Sequence, residues 1–161
     1  MENLYDLSAR FYDLRYKNIQ FEKYRQALGY VKLQGKILDH GCGTGLLYKF
    51  SKCENLIGVD NSKEMLEIAK AKGMDVRFGD IEKLPFDANR FDVVLSFTTL
   101  QNSKNPQIAL REIRRVLKNN GSLILSFLHQ FDEKLSPLIK RSFYVKQVFR
   151  NGEDVTYICQ N

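Results

Sequence analysis

The chain has 161 residues, of which 43% are hydrophobic and 27% are charged, and its net charge is +6. This length is typical of one domain, and the apolar content excludes compositional disorder. No apolar run approaches the roughly 18 residues of a membrane helix, and the first ten residues lack the apolar stretch of a secretory signal. We therefore expect a cytoplasmic domain without a membrane segment, whose positive charge permits an anionic partner without requiring one.

Cysteine and histidine are too few and too scattered for a metal centre. Cys42, Cys53 and Cys159 show no CxxC spacing, and His40 and His129 are the two histidines. The sequence predicts neither a metal site nor a disulfide framework, and the thiols are interpreted as small buried apolar groups.

Residues 1–34 have the spacing of amphipathic helices. Apolar residues recur three or four apart from Leu4 to Leu14 and again from Phe21 to Val31, with a polar stretch around 16–20 between them. The pattern predicts two N-terminal helices, or one long helix that is interrupted there.

Residues 35–128 alternate between short apolar strands and helical segments. Helices are predicted over 46–52, from Ser62 to Gly73 and over 105–117, whereas 80–90 is mostly loop. The first predicted strand contains Ile37 and Leu38, and the others cover residues 55–60, 74–78, 91–97 and 122–128. Such alternation is typical of βαβ units, which form a parallel sheet covered on both faces.

Residues 129–161 form a basic region with a different pattern. Two apolar stretches, 143–149 and 155–159, flank Asn151-Gly152, which is a strong hairpin signal. We therefore predict a single domain with a helical cap (1–34), a doubly wound, mostly parallel core (35–128) and a C-terminal antiparallel hairpin region (129–161).

A glycine-rich turn, DHGCGTG, follows the first core strand. Gly41, Gly43 and Gly45 allow positive φ and close approach of a ligand to the backbone. Asp60 ends the next strand, 19 residues after Gly41, which is the spacing of the acid that accepts ribose hydroxyls in nucleotide-binding βαβ units. The combination predicts nucleotide-type binding, and the alternative is a purely structural turn.

Charge separates the candidate ligands. The turn reads GxGxG, whereas the dinucleotide fingerprint is GxGxxG. Asp39 lies beside the turn without a nearby Arg or Lys, so its carboxylate would repel a pyrophosphate and attract an ammonium and a sulfonium. S-adenosylmethionine carries both cations. Asp39 can also cap the turn through its own backbone.

Four segments of the chain, in the same order, resemble motifs of the class I S-adenosylmethionine-dependent methyltransferases. The resemblance is closest to the small-molecule branch that includes ubiquinone and menaquinone biosynthesis enzymes. The four segments are LDHGCGTG, GVDNSKEML, FGDIEKLPFDANRFDVV and LREIRRVLKNNGSLILS. The resemblance implies a Rossmann-like α/β fold and S-adenosylmethionine as the cofactor, with S-adenosylhomocysteine as its product.

The resemblance also implies roles for individual residues. The glycine turn and Asp39 would surround the methionine part of the cofactor, Asp60 would bind the ribose, and Asp80 would accept from the adenine amino group. The implied cofactor-binding residues are Tyr12, Asp39, Gly41, Gly43, Gly45, Asp60, Asn61, Met65, Asp80, Ile81 and Ser96.

The N-terminal segment YDLSARFYDLRY resembles the family's cap, in which a tyrosine can lie over the cofactor. Tyr5, Tyr12 and Tyr16 are candidates, and Tyr12 is the first choice, although helix packing or a solvent-facing hydroxyl is the more ordinary explanation for any single one of them. His40 departs from the family, because its position in the first motif is usually apolar. We interpret it as a packed, hydrogen-bonded histidine.

Methyl transfer from a sulfonium is a direct displacement, so alignment and exclusion of water matter more than a catalytic base. The acceptor is expected at the end of the fourth core strand, where the segment lacks the Asn/Asp-Pro-Pro-aromatic signature of enzymes that methylate exocyclic amines. No catalytic base is assigned, and His129 is a weak candidate. The predicted acceptor contacts are Thr98, Thr99, Gln101 and Asn102.

The segment 134–150 contains five basic residues, no acid and three aromatic residues, a composition that can bind nucleic acid but is also typical of a solvated edge. Three functions are therefore considered. The first is a methyltransferase that acts on a small molecule, and the second is an RNA or protein methyltransferase. The third is a non-catalytic S-adenosylmethionine-binding subunit of a partner enzyme, because the resemblance fades after Leu128, where related enzymes often place substrate-binding insertions. The basic residues are Lys134, Lys140, Arg141, Lys146 and Arg150.

Overall fold

The computed structural model describes the backbone of residues 4–161 and the side chains of residues 11–161. Over this range seven strands form one sheet in the order β3-β2-β1-β4-β5-β7-β6. Strands β1 to β5 are parallel, and β7 is antiparallel to both of its neighbours. The strands are β1 (Ile37–His40), β2 (Leu56–Asp60), β3 (Asp75–Phe78), β4 (Phe91–Phe97), β5 (Leu117–Leu128), β6 (Tyr144–Asn151) and β7 (Asp154–Gln160).

Helices cover both faces of the sheet, because successive strand residues point to opposite sides. On one face, Leu38 and Leu125 pack against α4 and α5. On the other, Ile37 and Ile124 pack against α1, α2 and α3. The helices are α1 (Leu4–Ala27), α2 (Leu46–Ser51), α3 (Lys63–Ala71), α4 (Pro106–Val116) and α5 (Asp132–Ser142).

The fold confirms the predicted doubly wound sheet and the C-terminal hairpin, whose strands β6 and β7 are joined at Gly152 with φ +60°. It also confirms two helix starts. Ser62 caps α3 by accepting from Met65 N at 3.3 Å, and Asn105 caps α4 in the same way. The order of strands places the carboxyl ends of β1, β2 and β4 side by side.

Three local predictions were wrong. The N-terminal helix α1 runs without interruption, because its polar stretch contains no Gly or Pro and buries Gln20 against the domain. Strand β5 begins five residues before the predicted start, at Leu117, and accommodates the turn-like Asn120 (φ +62°) through an irregular pairing with β4. Helix α5 was not predicted, since Pro137 inside it obscures its apolar spacing.

No helix within residues 4–161 combines the length and the apolar character that would let it cross a membrane.

Candidate functional site

A cavity of about 400 Å³ opens at the carboxyl ends of β1, β2 and β4. Its wall combines the glycine turn after β1, the end of β2, the loop after β3, the segment after β4 and one tyrosine of α1. The lining residues are Tyr12, Gly41, Gly43, Asp60, Asn61, Met65, Asp80, Ile81, Glu82, Phe97, Thr98, Thr99, Asn102, Ser103 and Lys104. Most of the predicted cofactor and acceptor residues therefore meet in one place.

The glycine turn lies against β2 and β4. Gly41 N donates to the carbonyl of Val59 at 2.9 Å, and both Gly41 and Gly43 have positive φ. A Cβ on Gly41 would lie 2.3 Å from Thr99 Oγ1, whereas a Cβ on Gly43 would meet no atom within 4 Å. Gly41 thus allows the turn to pack against the end of β4, and Gly43 leaves space beside the cavity.

Gly45 has a structural role. It caps the N-terminus of α2 with φ +78°, and a Cβ there would come within 3.2 Å of Ala69 Cβ on α3. Gly45 does not line the cavity. Gly45, a predicted cofactor-binding residue, therefore affects the cavity only indirectly, because it allows α2 and α3 to pack closely together.

Asp60 holds the ends of two loops together. Its Oδ2 accepts from Gly43 N at 2.9 Å, and its Oδ1 accepts from Ser62 N at 3.0 Å. A carboxylate has about four lone-pair sites, so these two backbone donors leave it able to accept hydroxyl donors from a ligand. Asn61 and Met65, which follow it, also line the cavity.

Asp39 lies beneath the turn and is only 4% exposed. Burial is the main cause that raises its pKa to about 8, and repulsion by Asp60 adds to it. Asp39 does not line the cavity. Without a ligand, this carboxyl group therefore keeps its proton at neutral pH. It attracts a cation only when the bound cation stabilises the ionised carboxylate and the proton leaves.

His40 is packed and hydrogen bonded, as the sequence predicted. Its ring is fully buried, with Nδ1 3.0 Å from Ser96 Oγ and Nε2 3.3 Å from the carbonyl oxygen of Ile81. Ser96 is 1% exposed and faces His40 instead of the cavity. Ser96, a predicted cofactor-binding residue, therefore contacts this buried histidine and does not line the cavity.

The loop after β3 is tied to the segment after β4. Asp80 Oδ1 accepts from Glu82 N at 2.8 Å, and Glu82 Oε1 accepts from Ser103 Oγ and Asn105 N, each at 2.7 Å. Glu82 and Ser103 line the cavity, as does Lys104, and none of the three was predicted. Their partners are more than 20 residues apart, so no local spacing could have indicated them.

The end of β4 bends sharply at Thr98, which has φ +58°, an uncommon conformation for a β-branched residue. Thr98 N donates to the carbonyl of Ser126 at 2.6 Å, and Asn102 Nδ2 donates to the carbonyl of Thr98 at 3.1 Å. Thr98, Thr99 and Asn102 line the cavity. Gln101 does not, because its Oε1 accepts from Leu128 N at 2.8 Å.

Lys23 of α1 reaches the same strand end. Its Nζ donates to Thr98 Oγ1 at 3.2 Å and forms a 2.5 Å ion pair with Asp154, whose side chain is 2% exposed. Ser126 Oγ also donates to Asp154, at 3.3 Å. No sequence pattern indicates this buried cluster, since Lys23 and Asp154 lie at opposite ends of the chain.

Among the tyrosines of α1 whose side chains the structure describes, Tyr12 lines the cavity. Its ring lies 4.9 Å from that of Tyr16, and Gln20 Nε2 donates to its hydroxyl at 3.4 Å. Next to it, Asp13 bonds Thr44 of the glycine turn and Lys72, which follows α3. The side chain of the third candidate, Tyr5, lies outside the described residues.

His129 lies away from the cavity and contacts the guanidinium of Arg150 through Nε2. A guanidinium can only donate, so this nitrogen acts as an acceptor. The geometry therefore gives His129 no role as a base in the cavity.

The aromatic residues of 134–150 do not form one stacking surface. Phe143 is 6% exposed, Phe149 stacks on Tyr30 at 5.1 Å, and Tyr144 is 72% exposed. Helix α5 runs back from the end of β5 to the start of β6, which is parallel to β5, so Lys140 and Arg141 lie at the edge of the sheet opposite the cavity.

Among residues 11–161 no group of three or more His, Cys, Asp or Glu side chains could hold a metal ion. The cavity therefore presents carboxylates, hydroxyls, amides and backbone groups, a donor and acceptor set suited to an organic ligand.

Comparisons with known proteins agree with this architecture. A family model described as a methyltransferase domain matches residues 38–125. The demethylmenaquinone methyltransferase of Thermotoga maritima is 34% identical over 89% of this chain and 68% of its own length. A solved S-adenosylmethionine-dependent methyltransferase of the same organism, described as a possible histamine N-methyltransferase, superposes with TM-score 0.77 at 23% identity and covers 98% of this chain and 99% of its own. A solved complex between the Haloferax volcanii Trm112 methyltransferase activator and a methyltransferase gives TM-score 0.83 at 18% identity, covering 99% of this chain and 98% of the matched chain.

Proposed function

Because the chain belongs to the S-adenosylmethionine-dependent methyltransferase family, we propose that it transfers a methyl group from S-adenosylmethionine to a small-molecule acceptor. One observation carries the proposal. The cavity is continuous from Gly43 and Asp60, at the cofactor motifs, to Thr98 and Asn102, at the end of β4. A donor held at the first pair would face an acceptor held at the second.

The residues of the cavity fit this cofactor. Asp60 supplies carboxylate oxygens for the ribose hydroxyls, and Asp80 supplies an acceptor for the adenine amino group, with Ile81 available to pack against the ring. The open space beside Gly43 suits the close approach of the methionine part. Asn61, Met65 and Tyr12 complete the wall.

The chemistry asks little of the protein beyond orientation. S-adenosylmethionine supplies a methyl group that is already activated on a sulfonium. Thr98, Thr99 and Asn102 would orient the acceptor, and Phe97 and Tyr12 would exclude water from it. Good alignment lowers the activation barrier of such reactions by about 7–11 kcal/mol. The reaction therefore does not need His129 as a general base.

The small-molecule acceptor is proposed by analogy with the demethylmenaquinone methyltransferase, and the size of the cavity, about 400 Å³, supports a compact acceptor. The alternative of an RNA or protein acceptor rests on net charge, and Lys140 and Arg141 lie at the edge of the sheet away from the cavity. We also propose that the chain acts as a single domain in the cytoplasm. The reducing conditions there suit its three free cysteines.

The second candidate function is that the chain works as one subunit of an enzyme, together with a partner protein. It is supported by the structural relative that is bound to the Haloferax volcanii Trm112 methyltransferase activator. A labelled-methyl assay separates the two functions. The protein alone, incubated with labelled S-adenosylmethionine and a small-molecule extract, would label a product if it is an enzyme by itself, and would do so only with an added partner if it is a subunit.

Calorimetry tests the cofactor site directly. We expect wild-type protein to bind S-adenosylmethionine and S-adenosylhomocysteine in the micromolar range. Asp60→Ala should weaken both by at least about tenfold, or about 1.4 kcal/mol, because the ribose loses its carboxylate, and Gly43 N of the turn and Ser62 N each lose their acceptor. Asp75→Ala is the matched control, since Asp75 is an exposed acid of β3 outside the cavity. Equal affinities in wild type and Asp60→Ala would contradict the site assignment.

A further inference from the structure

The buried His40 connects three segments that meet under the cavity. The residue belongs to β1, its Nδ1 lies 3.0 Å from Ser96 Oγ of β4, and its Nε2 lies 3.3 Å from the carbonyl of Ile81 in the loop after β3. Ile81 itself lines the cavity. The ring is therefore a link between the centre of the sheet and the cavity wall.

One neutral tautomer satisfies both contacts. A carbonyl oxygen only accepts, so Nε2 must carry the proton, and Nδ1 then accepts from the Ser96 hydroxyl. Burial is the main cause that lowers the pKa of His40 to about 4, so the ring stays neutral around pH 7. An apolar side chain at this position would leave the Ile81 carbonyl and the buried Ser96 hydroxyl without these partners.

Hydrogen bonds within the loop run from Glu82 N and Lys83 N to Asp80, and near the cavity the loop is attached to the rest of the domain at either end of the stretch that His40 holds. Gly79 N donates to the carbonyl of Asp60 at 3.1 Å, and Glu82 bonds Ser103 on the far side. Asp80 and Ile81 lie between these two attachments, and Asp80 is exposed. The contact from His40 to Ile81 is thus placed midway along the stretch that would meet the base of the cofactor.

We propose that His40 is a positioning residue that sets Asp80 and Ile81 against the adenine and thereby gives the site its selectivity for an amino group on the base. The inference rests on the proposed function. It assigns to His40 no contact with the cofactor, since His40 acts through Ile81. The selectivity follows from Asp80, whose carboxylate accepts from an amino group and would repel a carbonyl oxygen at the same position.

The test compares S-adenosylhomocysteine with S-inosylhomocysteine, in which a carbonyl oxygen replaces the 6-amino group. Calorimetry on wild-type protein should show tighter binding of the amino form. His40→Asn keeps an amide near the place of Nδ1 and loses the donor to Ile81, so the ratio of the two affinities should fall by about fivefold. His40→Gln carries an amide near the place of Nε2, so it should retain most of the wild-type ratio.

The ratio separates positioning from stability, because a variant that is merely less stable binds both ligands less well and leaves the ratio unchanged. An unchanged ratio in His40→Asn would overturn the proposal while wild-type binding of S-adenosylhomocysteine upholds the proposed function. Failure of the wild type to bind that ligand would overturn the proposed function itself. If neither variant folds, nitrogen-15 NMR of wild-type His40 decides, since a proton on Nδ1 instead of Nε2 contradicts the link to Ile81.

Discussion

Among single residues, Asp39 has the environment with the clearest consequence for ligand binding. Its folded-state pKa of about 8 lies far above the ordinary value of 3.8. Between these two values the folded protein holds a proton that the unfolded chain releases, so the contribution of Asp39 to stability falls as pH rises through that window. A cation bound beside it would favour the carboxylate and release the proton.

We therefore expect the affinity for S-adenosylmethionine to increase from pH 6 to pH 8, by at most about tenfold per pH unit, and then to level off. Asp39→Asn should remove this slope, because an amide does not titrate. Calorimetry at several pH values measures both proteins, and buffers with different ionisation enthalpies report the released proton. A slope that persists in Asp39→Asn would exclude Asp39 as its source.

The sequence predicted individual site residues where these lie close to one another along the chain. Gly41, Gly43 and Asp60 were predicted because two adjacent strand ends suffice to bring them together. Gln101, a predicted acceptor contact, does not line the cavity, since the short helical turn after β4 directs its side chain to Leu128 N. The contact of Lys23 with Thr98 joins residues 75 positions apart, and no spacing rule reaches that far.

Among the elements, α1 is joined to the rest of the domain by two ion pairs near the cavity. Lys23 connects it to Asp154 of β7 and to Thr98, and Asp13 connects it to Lys72 and Thr44. The first ion pair is almost fully buried, with side chains 11% and 2% exposed, whereas the second is partly exposed, with 19% and 32%. The two should differ in energy.

Lys23→Met should reduce the free energy of unfolding by about 3 kcal/mol, because it leaves the buried Asp154 carboxylate without its countercharge. Lys72→Met, the matched control, should cost less than about 1 kcal/mol, since solvent screens that pair. Urea unfolding measures both. The double variant Lys23→Met/Asp154→Asn should recover part of the loss, and equal losses in the two single variants would show that burial does not distinguish these ion pairs.

For the whole molecule, ligand binding and stability are linked through the cavity. A ligand at 100 times its Kd stabilises the folded state by about 2.7 kcal/mol. In a chain of this length we expect S-adenosylhomocysteine at that ratio to raise Tm by about 5–10 °C. Differential scanning fluorimetry with ATP is the control. If the ATP ribose bound Asp60, the phosphates would face the glycine turn and Asp39, so we expect no comparable rise in Tm. A larger shift with ATP would favour a phosphate-bearing ligand.

Most of the molecule's architecture was predictable, because each βαβ unit carries its own apolar pattern and turn residues. Helix α5 was missed, since Pro137 interrupts the pattern that identifies the other helices. The rim of the cavity was missed for a different reason. Glu82 reaches it through Ser103 and Asn105, and these contacts exist only once the strands are arranged.

The position of β7 has a consequence for synthesis on the ribosome. It follows β5 and β6 in the chain, yet it lies between them and pairs with both. While residues up to 151 have emerged, β5 has an open edge and β6 has no neighbour to pair with. The nascent chain therefore carries its parallel half with an open edge at β5, and the sheet is completed only after β7 has emerged and can pair with both β5 and β6.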